Sequence, residues 1–146
     1  MTTFEFIQSA ASIATAVGVG IAALQLYLTK RETQSEFEDS FSEQYRRIVA
    51  ELPLAALVGR SLSEQELEAS LRTFYNYFDL SNEQAFLAAH RRLQDETWQN
   101  WREGIEQHME RPAFVQAWKR LLPDLDGSFD DFRTLLPKSL HAAPNA

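Results

Sequence analysis

The sequence contains no cysteine, so disulfides and thiolate metal sites are excluded and a reducing compartment suits the chain. Glycine and proline are sparse, 5 of each in 146 residues, and most stand where helices would start or stop. So little punctuation disfavours a many-turned β fold and favours helices. Positive charge is missing from the whole N-terminal stretch: all 14 Lys and Arg lie at Lys30 or later, and Glu5 is the only charged side chain before them. The formal net charge of -7 denies the chain the basic field that phosphate binding needs, so no nucleic-acid partner is expected.

What remains is an ordinary globular composition, 45% hydrophobic and 24% charged, which argues against global disorder. The uncharged run from Phe6 to Leu28 is long enough for a helix to cross a bilayer core of roughly 30 Å. Gln8 and Gln25 lie near its ends, Tyr27 sits at its C-terminal edge, and Lys30 and Arg31 follow at once. By the positive-inside rule the N-terminus faces out and the remainder faces the cytosol. A signal peptide would want a basic start, which Met1-Thr2-Thr3-Phe4-Glu5 lacks. Small residues recur every four positions at Ala10, Ala14, Gly18 and Ala22, a spacing that lets helices approach closely in lipid.

Beyond the run, Lys30 to Leu52 holds no Gly or Pro, so the helix is expected to continue to Pro53. Phe37, Phe41, Tyr45, Ile48 and Leu52 form one apolar stripe on it, to be buried against the rest of the domain or a second copy. Leu54 to Gly59 reads as a short helical stub. Ser63-Glu64-Gln65-Glu66 reads as a capping box opening a helix with Leu67, Leu71, Phe74 and Phe78 on one side, running on through Phe86 and Leu93 or breaking near Ser81-Asn82. Asp95 is placed to cap a helix carrying Trp98, Trp101, Ile105 and Met109. Pro112 suits the first position of another with Phe114, Trp118 and Leu121, and Ser128 a cap for a last short one. Phe74, Phe78, Phe86, Trp98, Trp101, Phe114, Trp118 and Leu121 are the expected core cluster.

Three blocks carry a resemblance. Tyr77-Phe78-Asp79-Leu80-Ser81-Asn82-Glu83-Gln84-Ala85-Phe86-Leu87 is followed by Thr97-Trp98-Gln99-Asn100-Trp101-Arg102-Glu103-Gly104-Ile105, then by Arg111-Pro112-Ala113-Phe114 and Ala117-Trp118. In this order they resemble the domain-of-unknown-function 4760 proteins, uncharacterised bacterial proteins with one N-terminal span and a helical cytosolic domain. The resemblance runs from the anchor to about Trp118. It implies topology and bacterial origin, and brings no activity, cofactor or catalytic residue.

For a site, helical spacing puts Tyr75, Asp79, Asn82 and Glu83 on one face, with His90 two turns further on. Two carboxylates and an imidazole could serve acid–base chemistry or hold a metal. The favoured reading is a polar clasp between helices, with Asp79 or Glu83 accepting from an Arg or a Trp indole and Asn82 satisfying backbone groups. No HExxH or paired Glu-xx-His pattern supports a metal. Asp124-Leu125-Asp126-Gly127-Ser128 starts like a calcium loop, but Phe129 and Leu135 stand where that loop needs Gly and Glu. The three tryptophans read as core, and His90, His108 and His141 as scattered.

The expected architecture is therefore all-α: one N-terminal transmembrane helix continuing into a small cytosolic helical bundle. Its divisions are an anchor at 1–29, a membrane-proximal helix at 30–52, a helical domain at 53–137 and a flexible tail at 138–146. The expected role is a membrane-anchored interaction or regulatory protein without catalytic, cofactor or metal residues. It would sit in the bacterial inner membrane, with lipid contacting residues 6–28 and a protein partner or second copy contacting the domain. The alternative is a small membrane enzyme or ligand sensor using Asp79, Asn82 and Glu83.

Overall fold

The structure is a computed structural model. It describes residues 3–125 and 127–142, with side chains at 15 and from 17 onward. Among them every regular element is a helix: α1 (Thr3–Glu51), α2 (Leu54–Leu57), α3 (Glu64–Ala89), α4 (Asp95–Met109), α5 (Pro112–Leu121) and α6 (Asp130–Arg133). Short 3-10 turns at Leu122–Asp124 and Lys138–Leu140 complete the order. The chain divides into two compact units, 1–39 and 40–146.

In the first unit the described side chains of α1 from Val17 to Leu28 are exposed. No helix among the described residues is long and apolar enough to cross a membrane. The expected span begins at Phe6, and its side chains at 6–14 and 16 lie outside the described residues, as do Ala10 and Ala14 of the small-residue row.

In the second unit sequence rules account for most helix ends. Pro53 ends α1, since a proline ring can neither donate the next helical hydrogen bond nor fit the turn before it. Ser63 closes a capping box: its hydroxyl accepts from Glu66 N at 3.3 Å, and Glu66 Oε2 accepts from Ser63 N at 2.9 Å. This pairing to the Ser63 amide and hydroxyl holds the Glu66 carboxyl below the usual range. Pro112 opens α5, where its missing N–H costs nothing. The helix α3 does not break at Ser81-Asn82. Ser81 is buried and its hydroxyl donates to Tyr77 O at 2.8 Å, so a residue that often terminates helices is satisfied within one.

Three ends differ from the sequence reading. Gln94, not Asp95, is the residue before α4, with Asp95 inside the first turn. Phe129, not Ser128, precedes α6, with its backbone in the left-handed region at φ 61°. Arg91 also has positive φ, at 56°, and closes α3 with Arg92 N on Leu87 O at 2.9 Å and Arg91 N on Ala88 O at 3.0 Å, an arrangement usually given to glycine.

The core is two clusters rather than one. The larger joins α3, α5, α6 and the C-terminal turn through Phe74, Tyr77, Phe78, Phe114, Trp118 and Phe132. The smaller holds Phe41, Leu80, Leu87 and Leu93, with Trp98 and Trp101 half-buried against it. The α1 stripe is buried in this unit from Phe41 to Leu52, with Tyr45 and Ile48 half-buried. Phe86, expected in the core, is 43% exposed. It lies eight residues after Phe78, about 80° round the helix, on the arc that also carries Asp79 and Glu83.

The expected flexible tail from 138 is corrected in its first residues. Leu140 is buried, and the Trp118 indole donates to its carbonyl at 2.7 Å, so the chain stays docked through Lys138–Leu140. Residues 143–146 lie outside the described residues.

Candidate functional site

Two places bring polar groups together in the second unit, and the sequence points to only one of them. On α3, Asp79 and Glu83 line an open groove of about 290 Å³ with Gln44, Arg47 and Asn76. Both carboxylates are exposed, and neither forms a salt bridge among the described residues. Arg47 is held instead by Glu43 at 2.6 Å. Of the expected clasp residues, Asn82 Oδ1 accepts from Phe132 N at 2.9 Å and ties α3 to α6. Asp79 and Glu83 make no such tie among the described residues, since groups that water already solvates need no buried partner.

His90 does not join them. It is exposed, its Nδ1 lies 2.8 Å from Phe86 O, and seven helical positions separate it from Glu83, a rise of about 10 Å. Among the described residues no three His, Asp or Glu side chains are grouped to hold a metal, and Asp126 of the calcium-like stretch lies outside them. The groove therefore offers two hydrated carboxylates without the imidazole that acid–base work would add.

The second place was missed. A cavity of about 310 Å³ opens between the C-terminal part of α1, the middle of α3 and the centre of α4. Tyr45, Tyr77, Trp101 and Ile105 wall it, and Gln84 and Arg46 also line it. No Asp or Glu contributes. Just behind it, the Tyr77 hydroxyl and His108 Nδ1 share a hydrogen bond 3.0 Å long. The phenol donates when Nε2 carries the ring proton. Phe114 stacks on the imidazole with centroids 4.8 Å apart.

Burial controls this pair. It pushes the Tyr77 phenol up, with Tyr45 adding to the effect, so Tyr77 keeps its proton. Burial also raises Tyr45, against a smaller opposing pull from Arg111. His108 is pushed down to about 4, first by burial and then by the Arg111 charge, while a backbone bond at Gly104 resists. It is therefore neutral near pH 7. A folded pKa below the ordinary 6.5 means that the unfolded chain takes up the proton first as pH falls. Stability from this group is intact above about pH 6.5 and declines from there toward pH 4, at no more than about 1.4 kcal/mol per pH unit. Denaturant midpoints of the full chain and of His108→Gln, compared across that window, should diverge toward acid, with the parent losing more. Parallel curves would show that His108 does not titrate as an isolated buried base.

The missed residues had a faint signal. Tyr77, Ser81 and Gln84 stand at i, i+4 and i+7 on α3, and Trp101, Ile105 and His108 do so on α4. What the spacing does not contain is that these two stripes face each other. No family model, curated protein or solved structure matches the chain.

Proposed function

We propose that the chain is a membrane-anchored helical module, held in the bilayer by the segment Phe6–Leu28 and acting through its folded second unit as an interaction or regulatory protein. The observation that carries this reading is the surface of α1. Val17, Val19, Ile21, Leu24, Leu26, Tyr27 and Leu28 are each 46–73% exposed. At about 100° per residue these positions spread over roughly 220° of the helix, wider than one partner face would cover, and the remaining arc holds the uncharged Gly18, Ala22 and Gln25. Lipid covers an apolar helix all round, and a helix bonds its own backbone there. The uncharged segment would span about 34 Å, enough for the hydrocarbon core.

Lys30 and Arg31 at its end support a cytosolic second unit and an outside N-terminus. The resemblance of the Tyr77, Thr97 and Arg111 blocks to bacterial single-span proteins supports the inner membrane. Within the unit, Asn82 ties helices together and Arg133 binds backbone carbonyls, which favours a scaffold over catalysis.

The absence of native cysteine gives a clean test of orientation. Thr3→Cys and Ser139→Cys, each expressed in bacterial spheroplasts, are exposed to a membrane-impermeant maleimide. Thr3→Cys is expected to label in intact spheroplasts and Ser139→Cys only after lysis. The opposite pattern rejects the orientation.

A further inference from the structure

The cavity between α1, α3 and α4 carries a nearly buried amide on its wall. Gln84 is that amide, 5% exposed, and among the described residues no side-chain N or O is both sealed from solvent and unpartnered. Gln84 lines the cavity, so what little of it is accessible is reached from that space. An amide reached through such a space meets water there, or a ligand that replaces that water.

The surroundings narrow the ligand. Tyr45, Tyr77 and Trp101 offer aromatic surface on different helices, which suits a flat ring. The volume of about 310 Å³ is at the small end for organic ligands. Arg46 is the one charged side chain on the lining, is itself exposed, and pairs with no acid among the described residues. With no carboxylate on the walls, a cationic ligand has no counter-ion and an anionic one does. The Gln84 amide both donates and accepts, so it matches a hydroxyl or amide on the ring.

We propose that this cavity binds a small aromatic carboxylate, with Gln84 reading a polar ring substituent and Arg46 pairing the carboxylate at the mouth. This goes beyond the anchored-module reading and does not depend on it: the cavity lies wholly within the second unit.

The test is isothermal titration of the full chain, in phosphatidylcholine nanodiscs or, if it partitions to buffer, without them. The probes are para-hydroxybenzoate, phenol and tyramine, which share a ring and differ in charge. Para-hydroxybenzoate is expected to bind saturably, phenol about fivefold more weakly, and tyramine more weakly still. Arg46→Gln should bring the acid down to the level of phenol. Gln84→Leu should weaken the acid about tenfold or more, while its melting midpoint stays level or rises because an apolar side chain replaces a nearly buried amide. Gln84→Met, unbranched and of similar length, is the second variant and should behave alike. No saturable binding of para-hydroxybenzoate overturns the proposal, as does tyramine binding as tightly as the acid. So does a Gln84→Leu protein that binds like the parent, or one whose melting midpoint falls, which would give the amide a structural partner such as trapped water.

Discussion

Trp118→Ala is expected to destabilise the second unit by about 3–5 kcal/mol, the largest effect of any single truncation in it. Trp118 is fully buried, and its ring meets Phe78 at 5.2 Å and Phe132 at 5.1 Å between centroids. It joins α5 to α3 and α6 at once, so neighbours on three elements border the space its removal leaves. It also donates its indole N–H to Leu140 O at 2.7 Å. Truncation therefore opens a large cavity and strands a carbonyl under the C-terminal turn. Since small domains hold only about 5–15 kcal/mol in total, the variant should melt broadly or well below the parent in denaturant. Trp118→Phe separates the two causes: it keeps most of the ring and loses the bond, and should cost about 1–3 kcal/mol. A Trp118→Ala melt that overlays the parent would remove this residue from the core.

Arg133→Ala should cost about 2–4 kcal/mol, more than a surface arginine normally does. Its guanidinium is half-buried and ties the C-terminal loops together. Nε donates to Ser128 O at 3.1 Å, one amino group donates to Leu125 O at 2.9 Å, and the other donates to His141 O. It also lies 5.6 Å from the centroid of the Trp118 ring. The planar fork serves three carbonyls that approach from different directions, which an ammonium on a flexible stem cannot reproduce. Arg133→Lys should therefore recover less than half of the loss. The effect should be local first, with faster amide exchange around Leu125–Ser128 and at Leu140. Exchange unchanged in both variants would make Arg133 an ordinary solvated cation.

These two residues show what the sequence discloses and what it hides. Trp118 was readable as core because Phe114, Ala117 and Trp118 repeat at helical spacing after Pro112, and the capping box at Ser63 was readable because it is a local rule. Arg133 was not, because its partners are backbone carbonyls whose positions exist only after folding. The same holds for the Tyr77–His108 pair, 31 residues apart. Phe86 was misplaced for a related reason. Sequence gives one apolar face for α3, whereas the helix buries two neighbouring faces in its second half, toward Phe132 and toward Phe41, and Phe86 falls on the remaining arc. Asp79 and Glu83 occupy that same arc. Their alignment was legible, but their solvation was not, and solvation is what leaves them without a clasped partner among the described residues. Gln84 lies inside the Tyr77–Leu87 block, but its place on a cavity wall exists only once the three helices are packed.

The measurement closest to the central claim is carbonate extraction of membranes from cells expressing the full chain, beside a chain that begins at Lys30. The anchored-module account predicts that the full chain stays in the membrane pellet at alkaline pH, and that the shortened chain appears in the supernatant. Release of the full chain into the carbonate supernatant would contradict it.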